Sequence, residues 1–345
     1  MSSPDAIAVV VVTYRSSEHL PALSAALVPQ LRDDDELVIV DNASGDETAE
    51  LAAGLHERIR VIETGENVGF AGGCHAGASG TCSPLLLFLN PDSEPHPDCL
   101  DQLRKAATAH PEWGAWQAAV MLDGEHINTS GEIVHYLGIG WAGECGRPAS
   151  ALPSHDREVA APSGAAMMVR RSDWLALGGM KQEYFMYSED LDFGLRLWLS
   201  GRGVGLVPGA RVKHNYDFEK GSYKWFWMER NRWRTVLSVY PAPLLILLAP
   251  ALLAAEIGLL VIAARQGWLM PKLRAQVAVL GDLPTSLRRR REAQARRRVS
   301  ATQFCAQLTS SLDSPYLNAA QHPFLRVPQA LYWSLAQRAL AILER

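Results

Sequence analysis

The chain has 345 residues, 48% of them hydrophobic, with 33 Lys and Arg against 37 Asp and Glu. That is too long for one average domain and too apolar for a disordered chain, and a net charge of −4 carries no nucleic-acid signature. A mean hydropathy near zero excludes a polytopic membrane protein. The five cysteines (Cys74, Cys82, Cys99, Cys145 and Cys305) are scattered and lack CxxC spacing, so neither a disulfide framework nor a zinc knuckle is indicated and a reduced, intracellular chain is expected. The N-terminal run MSSPDAIAVVVVTY has no basic n-region, so no signal peptide is expected.

Four nearly continuous apolar runs of strand length open the chain: Ile7–Tyr14, Glu36–Asp41, Ile59–Thr64 and Pro84–Asn90. Such runs suit parallel strands covered on both faces. Between them Ser16–Leu31, Asp46–His56 and Phe70–Thr81 are long enough for crossover helices, with Ser44 and Asp46 as N-cap donors of oxygen for the second. This βαβαβαβ order predicts an open parallel sheet with helices on both faces. Ligands of such sheets sit at the carboxyl ends of the strands.

From about residue 91 to 240 the pattern is mixed. Trp113–Val120, Val159–Arg170 and Val204–His214 read as strands. Ser188–Ser200 reads as a helix, with Leu191, Leu195, Trp198 and Leu199 on one face, and Ser222–Tyr240 as a helix rich in Trp, Arg and Tyr. Next, Ala242–Ala264 holds 23 residues with one charge, Glu256. About 20 apolar residues span a bilayer, but Pro250 and Glu256 sit mid-segment, so an interfacial or re-entrant segment competes with a clean span and with a core helix. Residues 265–300 carry ten Lys and Arg against two acids, a juxtamembrane pattern that favours the cytoplasmic side. The tail to Arg345 reads as one or two amphipathic helices.

Polar residues fall where the parallel strands should end. Asp41-Asn42 closes the second strand and Asn90-Pro91-Asp92 the fourth. Acids there are placed to hold a nucleotide or its metal, although Asx-turns use the same residues. The Gly-rich stretch Asn67–Gly80 follows the third strand, whereas a dinucleotide fingerprint belongs after the first, so a dehydrogenase is disfavoured. The glycines suit close backbone approach or a tight turn into a helix. In Tyr184–Arg196 three carboxylates, Glu189, Asp190 and Asp192, share four positions. A solvated helix N-terminus accepts such acids, but the flanking aromatics argue against plain exposure. His214 ends a strand, and with a carboxylate it would suit manganese or a similar divalent ion.

Taken in order, VVVTYRS, IVDNASGD, NVGFAGG, LFLNPDSE, FMYSEDLDFGLR and VKH resemble glycosyltransferase family 2, in its rhamnosyltransferase-like branch acting on bacterial cell-surface glycans. The resemblance covers roughly residues 7–240. It implies a GT-A fold, that is a Rossmann-like α/β nucleotide-diphospho-sugar transferase, and inverting transfer from a nucleotide sugar with Mg or Mn. By this resemblance Thr13, Tyr14 and Arg15 line the nucleotide pocket, Asp41 with Asn42 holds the base, and Asn67 and Gly69 lie against the nucleotide. Asn90-Pro91-Asp92 stands at the family's DxD, with the first acid replaced, so a metal leans on Asp92 with His214 as second ligand. Asp190 is the general base. Gly164, in Pro162–Ala165, and Glu189 contact the acceptor, and Glu189 raises the base's proton affinity or orients that acceptor. His75 and Lys181 depart from the family pattern at substrate contacts.

Glu229-Arg230-Asn231-Arg232-Trp233 keeps the spacing and Arg-Trp of the QxxRW motif of processive synthases, with Glu for Gln. Arg232 and Trp233 are accordingly expected at the acceptor. A processive synthase needs many spans, so transfer of one or a few sugars is the better reading. A non-catalytic nucleotide-sugar-binding protein is the alternative from another class. The expected organisation is a catalytic domain over 1–240, with a nucleotide half to about 95 and an acceptor half from 96, then a helical membrane-associated region over 241–345. Its partners would be a dTDP- or UDP-sugar, a lipid-linked glycan acceptor and, through residues 242–300, the cytoplasmic face of the cell membrane, peripherally or monotopically. No nucleic-acid partner is expected.

Overall fold

The computed structural model describes residues 3–214, 223–313 and 323–344. The expected start of the aromatic helix at Ser222 lies outside these. Strands β1 (Ile7–Thr13), β2 (Glu36–Asp41), β3 (Ile59–Glu63) and β4 (Leu85–Leu89) alternate with helices α1 (Leu20–Leu27), α2 (Thr48–Leu55) and α3 (Gly69–Ser79). They pair in parallel, with Thr13 opposite Asp41 and Val10 opposite both Val38 and Phe88. β1 and β4 are buried along their whole length, which is why they read as uninterrupted apolar runs. β3 lies at the sheet edge and turns Arg60 and Glu63 to solvent, charges that protect an edge from foreign strands. The glycines of α3 explain how closely it lies on the sheet: a side chain at Gly73 would overlap Val12, and one at Gly77 would overlap Val10.

Two local expectations are corrected. The first helix does not fill Ser16–Leu31; it runs from Leu20 to Leu27, and a 3-10 turn with Pro29 follows. Ser44 does not cap α2. Nor is Asp46 its N-cap: that position is Glu47, which makes no side-chain cap bond, although Asp46 just before it accepts from the Thr48 backbone N–H at 3.0 Å, and Ser44 bonds elsewhere.

The chain then adds β5 (Ser93–Pro95), α4 (Cys99–Ala109), β6 (Trp113–Met121), β7 (Ile127–Thr129), β8 (Glu132–His135), β9 (Gly140–Ala142), β10 (Arg157–Glu158), β11 (Ala166–Arg170), α5 (Arg171–Leu177), α6 (Glu189–Leu199) and β12 (Gly203–His214). The sheet order is β10-β12-β6-β11-β4-β1-β2-β3, with β5 on β12 and β7 on β6. In its second half β12 and β6 run parallel to each other, yet the strand between β6 and β4 is reversed. β11 runs antiparallel to both β4 and β6, so the sheet is mixed. The expected strand over Val159–Arg170 is also shorter, because Pro162 lacks the N–H a ladder needs and the chain forms a loop until Ala166.

Two compact units emerge. The first comprises Met1–Glu132, Ala142–Leu197 and Arg202–Asp217 and contains the large sheet. The second comprises Ile133–Trp141, Trp198–Gly201 and Phe218–Arg345. It holds α7 (Lys224–Val239), α8 (Ala242–Gln266), α9 (Leu269–Gly281), α10 (Leu283–Ala295), α11 (Ala301–Cys305), β13 (Leu308–Thr309) and α12 (Pro323–Leu343). There β13 pairs with β8 at Val134 and His135, and Tyr136 stacks on Trp333 at 5.1 Å. The aromatic helix α7 thus belongs with the C-terminal helices.

Candidate functional site

Backbone strain marks the site. Among the described residues six non-glycine positions have positive φ, and five of them follow strand ends or precede α6: Arg15, Ala43, Phe185, Tyr187 and Ser188. Each such conformation costs free energy and persists only where the surroundings impose it, commonly at functional sites. Arg15 and Ala43 lie just past β1 and β2, at the carboxyl ends of adjacent parallel strands.

There the expected nucleotide residues separate by role. The Asp41 carboxylate accepts from the Ser44 backbone N–H at 3.2 Å and from the Ser44 hydroxyl. Ser44 Oγ accepts in turn from the Arg15 N–H at 2.9 Å, so one hydroxyl ties the two strand ends together. Tyr14 is 46% exposed, with the Arg15 guanidinium 5.4 Å from its ring centre, which leaves an aromatic face open to a base. Thr13 is different. It is fully buried and its hydroxyl donates to Val40 O at 3.1 Å, so its side chain serves the sheet and does not line a pocket. Asn42 donates to Asn67 Oδ1 and Gly69 O, both at 3.1 Å, and accepts from the Val68 N–H at 2.9 Å. Its amide shapes the loop that Asn67 and Gly69 occupy. Gly69 has φ +74° and lies against Phe185, whose carbonyl accepts from the Phe70 N–H at 2.8 Å.

The end of β4 meets the end of β12. His214 Nε2 stands 3.0 Å from Asp92 Oδ1 and 3.1 Å from Asn90 Nδ2, and its ring is buried. One proton state cannot serve both neighbours. Protonated, Nε2 donates to Asp92 but faces the Asn90 amide donors; unprotonated, it accepts from Asn90 but faces the carboxylate lone pairs. Burial works to raise the Asp92 carboxyl, but the hydrogen bond and charge of His214 outweigh it and hold the group below its usual range. Two ligands on adjacent corners of an octahedral ion, each about 2.1 Å from it, stand roughly 3 Å apart. Asp92 and His214 therefore fit one edge of a divalent site. Among the described residues no cluster of three or more His, Cys, Asp or Glu side chains is gathered, so further ligands would come from substrate phosphates and water, the habit of Mg.

The structure sorts the three acids of α6. Asp192 is structural: Arg196 Nε donates to it at 2.6 Å and the Tyr184 hydroxyl at 3.0 Å. Glu189 is buried, its Oε2 has no hydrogen-bond partner among the described residues, and burial with the nearby charges of Asp190 and Asp192 pushes its carboxyl well up. Asp190 is half-buried and accepts from the backbone N–H groups of Gly164 at 2.7 Å and Leu191 at 2.8 Å. Burial raises its proton affinity while those two N–H groups oppose the rise. The result is a reachable carboxylate of fixed orientation with raised basicity, the combination a general base requires. Gly164 could not be larger, since a side chain there would meet the Phe70 ring at 2.8 Å.

The family model described as Glycosyl transferase family group 2 matches residues 85–280, more than half of the chain, and the one described as Glycosyl transferase family 2 matches residues 8–131. The chain belongs to glycosyltransferase family 2. It is similar to an N-acetylglucosaminyl-diphospho-decaprenol L-rhamnosyltransferase of Mycobacterium tuberculosis, 29% identical over 240 residues, 63% of this chain and 78% of the relative. It is also similar to the low-salt glycan biosynthesis hexosyltransferase Agl10 of Haloferax volcanii, 24% identical over 252 residues, 68% of this chain and 77% of the relative. Its fold is that of GalNAc-T7 solved with UDP, GalNAc and Mn2+: TM-score 0.62, 12% identity, 92% of this chain and 58% of that one. This chain thus spans little more than half of that protein. The mixed α/β sheet is GT-A-like, and the protein is an enzyme of sugar transfer.

In this glycosyltransferase several site residues were invisible in the sequence. Ser44 read as a helix cap and instead organises Asp41 and Arg15. Glu132 lies half-buried near Asp190, and burial with that charge pushes its carboxyl up to about 8. Buried Gln117 accepts from the Ser163 N–H at 2.7 Å and so holds the loop that carries Gly164. Long-range packing brings each of them in, and no local spacing announces it. His75 packs on Trp174 and its Nε2 lies 2.7 Å from Met180 O, which gives it a structural place.

The expected acceptor residues Arg232 and Trp233 lie in the helical unit. Arg232 is buried and its donors go to Glu229, Glu256 and Leu137 O, while Trp233 Nε1 donates to Glu256 at 3.1 Å. Four of the five guanidinium N–H groups of Arg232 are thus engaged within the helical unit, which gives this buried side chain a structural place there.

Proposed function

We propose that this enzyme moves a sugar from a nucleoside-diphosphate donor to a hydroxyl of a lipid-linked glycan, with inversion, at the cytoplasmic face of a membrane. The observation that carries the reading is Asp190, held by two backbone N–H groups beside the buried Oε2 of Glu189, which has no partner among the described residues. Asp190 takes the proton of the acceptor hydroxyl as that oxygen bonds to the anomeric carbon. The bond from that carbon to the diphosphate oxygen breaks, and the nucleoside diphosphate leaves. One displacement inverts the carbon, so no enzyme nucleophile is needed.

Tyr14 offers its face to the base, and Asp41, fixed by Ser44, offers a carboxylate oxygen to a base N–H. Asp92 and His214 would hold Mg or Mn, which when bound offsets the charge developing on the leaving diphosphate. Rhamnose carried on dTDP is the first donor to test, since the Mycobacterium relative is named a rhamnosyltransferase acting on a decaprenol-linked sugar; UDP-hexoses come next.

A thermal-shift and hydrolysis screen of nucleotide sugars with Mn and Mg tests donor and metal together. Asp92→Ala should abolish metal-stimulated hydrolysis, and metal-independent turnover by the wild type would remove the metal site. Product length on a defined acceptor separates single transfer, the expected result, from processive synthesis.

A further inference from the structure

We infer that the helical unit docks flat on an anionic lipid bilayer through the outward faces of α8, α9 and α12, and that α8 does not cross the membrane. This deepens the membrane location proposed above by naming the surface and its topology. At 25 residues α8 is about 37 Å long, enough to span a hydrocarbon core of about 30 Å. Its inward face forbids that. Glu256, near the middle of the helix, pairs with Arg232 of α7 and with Lys272 of α9 at 2.9 Å, and it accepts from Gln276 of α9 at 2.7 Å. Lys272 also pairs with Glu229 of α7, and Lys272 is wholly enclosed. Two acids and two bases thus neutralise one another among three helices.

Were α8 to cross, one of two things would follow. The charged partners on α7 and α9 would be carried to bilayer depth, although α9, with 13 residues and about 20 Å, is too short to span. Alternatively the bonds would break and leave a bare carboxylate in hydrocarbon, which is costly.

The opposite face of α8 is apolar and open. Ile246, Leu253, Ile257 and Val261 are 73%, 66%, 61% and 50% exposed at helical spacing, with no charge among them. The flanking helices do the same. On α9 Val277 and Leu280 are 70% and 72% exposed, and on α12 Leu331 and Leu335 are 60% and 54% exposed. The Tyr332 hydroxyl of α12 donates to Leu247 O of α8, so α12 packs beside α8 as α9 does. Soluble monomers rarely leave so much apolar surface bare.

Charge selects the occupant. Arg265 of α8 and Arg274 of α9 are exposed in helical spacing with this face, Arg288 and Arg291 are exposed on α10, which packs on α7 and α9, and no carboxylate on α8, α9 or α10 is exposed. An apolar face bordered by cations and free of exposed acids complements acyl chains beneath anionic head groups.

The test uses the full chain and flotation with vesicles of phosphatidylcholine alone or mixed with phosphatidylglycerol. Binding is expected to the mixed vesicles and to fall at least tenfold in L253E/I257E. R288Q/R291Q, changed only at exposed side chains, should lose several-fold on mixed vesicles and little on neutral ones. Failure of the wild type to float, or equal binding to both vesicle types by R288Q/R291Q and wild type, overturns the proposal. So does a wild-type dimer that L253E/I257E converts to monomer without any vesicle binding, since a second copy would then cover the face. For topology, cysteines placed at Ala242 or Gln266, the two ends of α8, in a C82S/C145S background are labelled with an impermeant maleimide in sealed inside-out vesicles. Both ends should react from the same side, and reaction from opposite sides overturns the flat placement. Thermal shift by dTDP and UDP, run on every variant, keeps the outcomes apart: lost flotation with intact nucleotide binding concerns docking alone, and intact flotation without nucleotide binding concerns the transferase reading alone.

Discussion

The two units treat buried acids in opposite ways. In the sheet unit Glu189 is buried with no cation paired to it among the described residues and Glu132 sits half-buried near Asp190, both with raised proton affinity. In the helical unit Glu229 and Glu256 are buried too, yet each meets both Arg232 and Lys272. An acid whose charge is matched inside the protein is part of the scaffold. An acid left unmatched is a cost the fold bears, and such costs gather where chemistry is done. The same residue type thus reports mechanism in one unit and construction in the other.

The contrast breaks most sharply at Asp190. Asp190→Asn should lower the transfer rate by about 10²- to 10⁴-fold, the usual contribution of a general base, while nucleotide binding by thermal shift is unchanged. A near-normal rate would return Asp190 to the scaffold class. Next comes Lys272→Ala, which leaves Glu229 and Glu256 with one cation fewer. The helical unit should lose about 3–5 kcal/mol, read by denaturant unfolding. A change below about 1 kcal/mol would mean water already screens the network.

The third test uses pH. Burial first, and then the charge of Asp190, raise the Glu132 carboxyl from 4.5 to about 8 in the folded chain. A group raised in this way contributes stability that is complete below its unfolded value and is lost as pH rises through its folded value. Melting temperature should therefore decline from about pH 4.5 to about pH 8, and Glu132→Gln should flatten that decline. An identical slope in the variant would show that Glu132 keeps no proton at neutral pH. The smallest effect is expected at Ser44→Ala, which removes one hydroxyl bridging Asp41 and Arg15. About 1 kcal/mol of stability should be lost, with a few-fold weaker nucleotide binding. Weaker binding without loss of stability would place Ser44 on the ligand itself.

Much of the fold was legible because its signals are local. The runs Ile7–Tyr14 and Pro84–Asn90 show strands covered on both faces, and Asp41 and Asn90-Pro91-Asp92 stand where the second and fourth strands end. The antiparallel β11 was not legible, since strand direction depends on how the chain returns to the sheet. Glycines of α3 were read for close approach or a turn; what they approach, Val10 and Val12, appears only when helix meets sheet.

By itself the sequence determined the βα alternation, the family motifs and the basic belt behind an apolar segment, because periodicity and composition act over a few residues. Only the tertiary structure decided that His214 meets Asp92, that of three neighbouring acids Asp192 is paired, Glu189 enclosed and Asp190 open, and that Glu256 is bound from two other helices. Those outcomes depend on which side chains share a low-dielectric neighbourhood. Residues far apart in the chain set that neighbourhood, so no local pattern could state it.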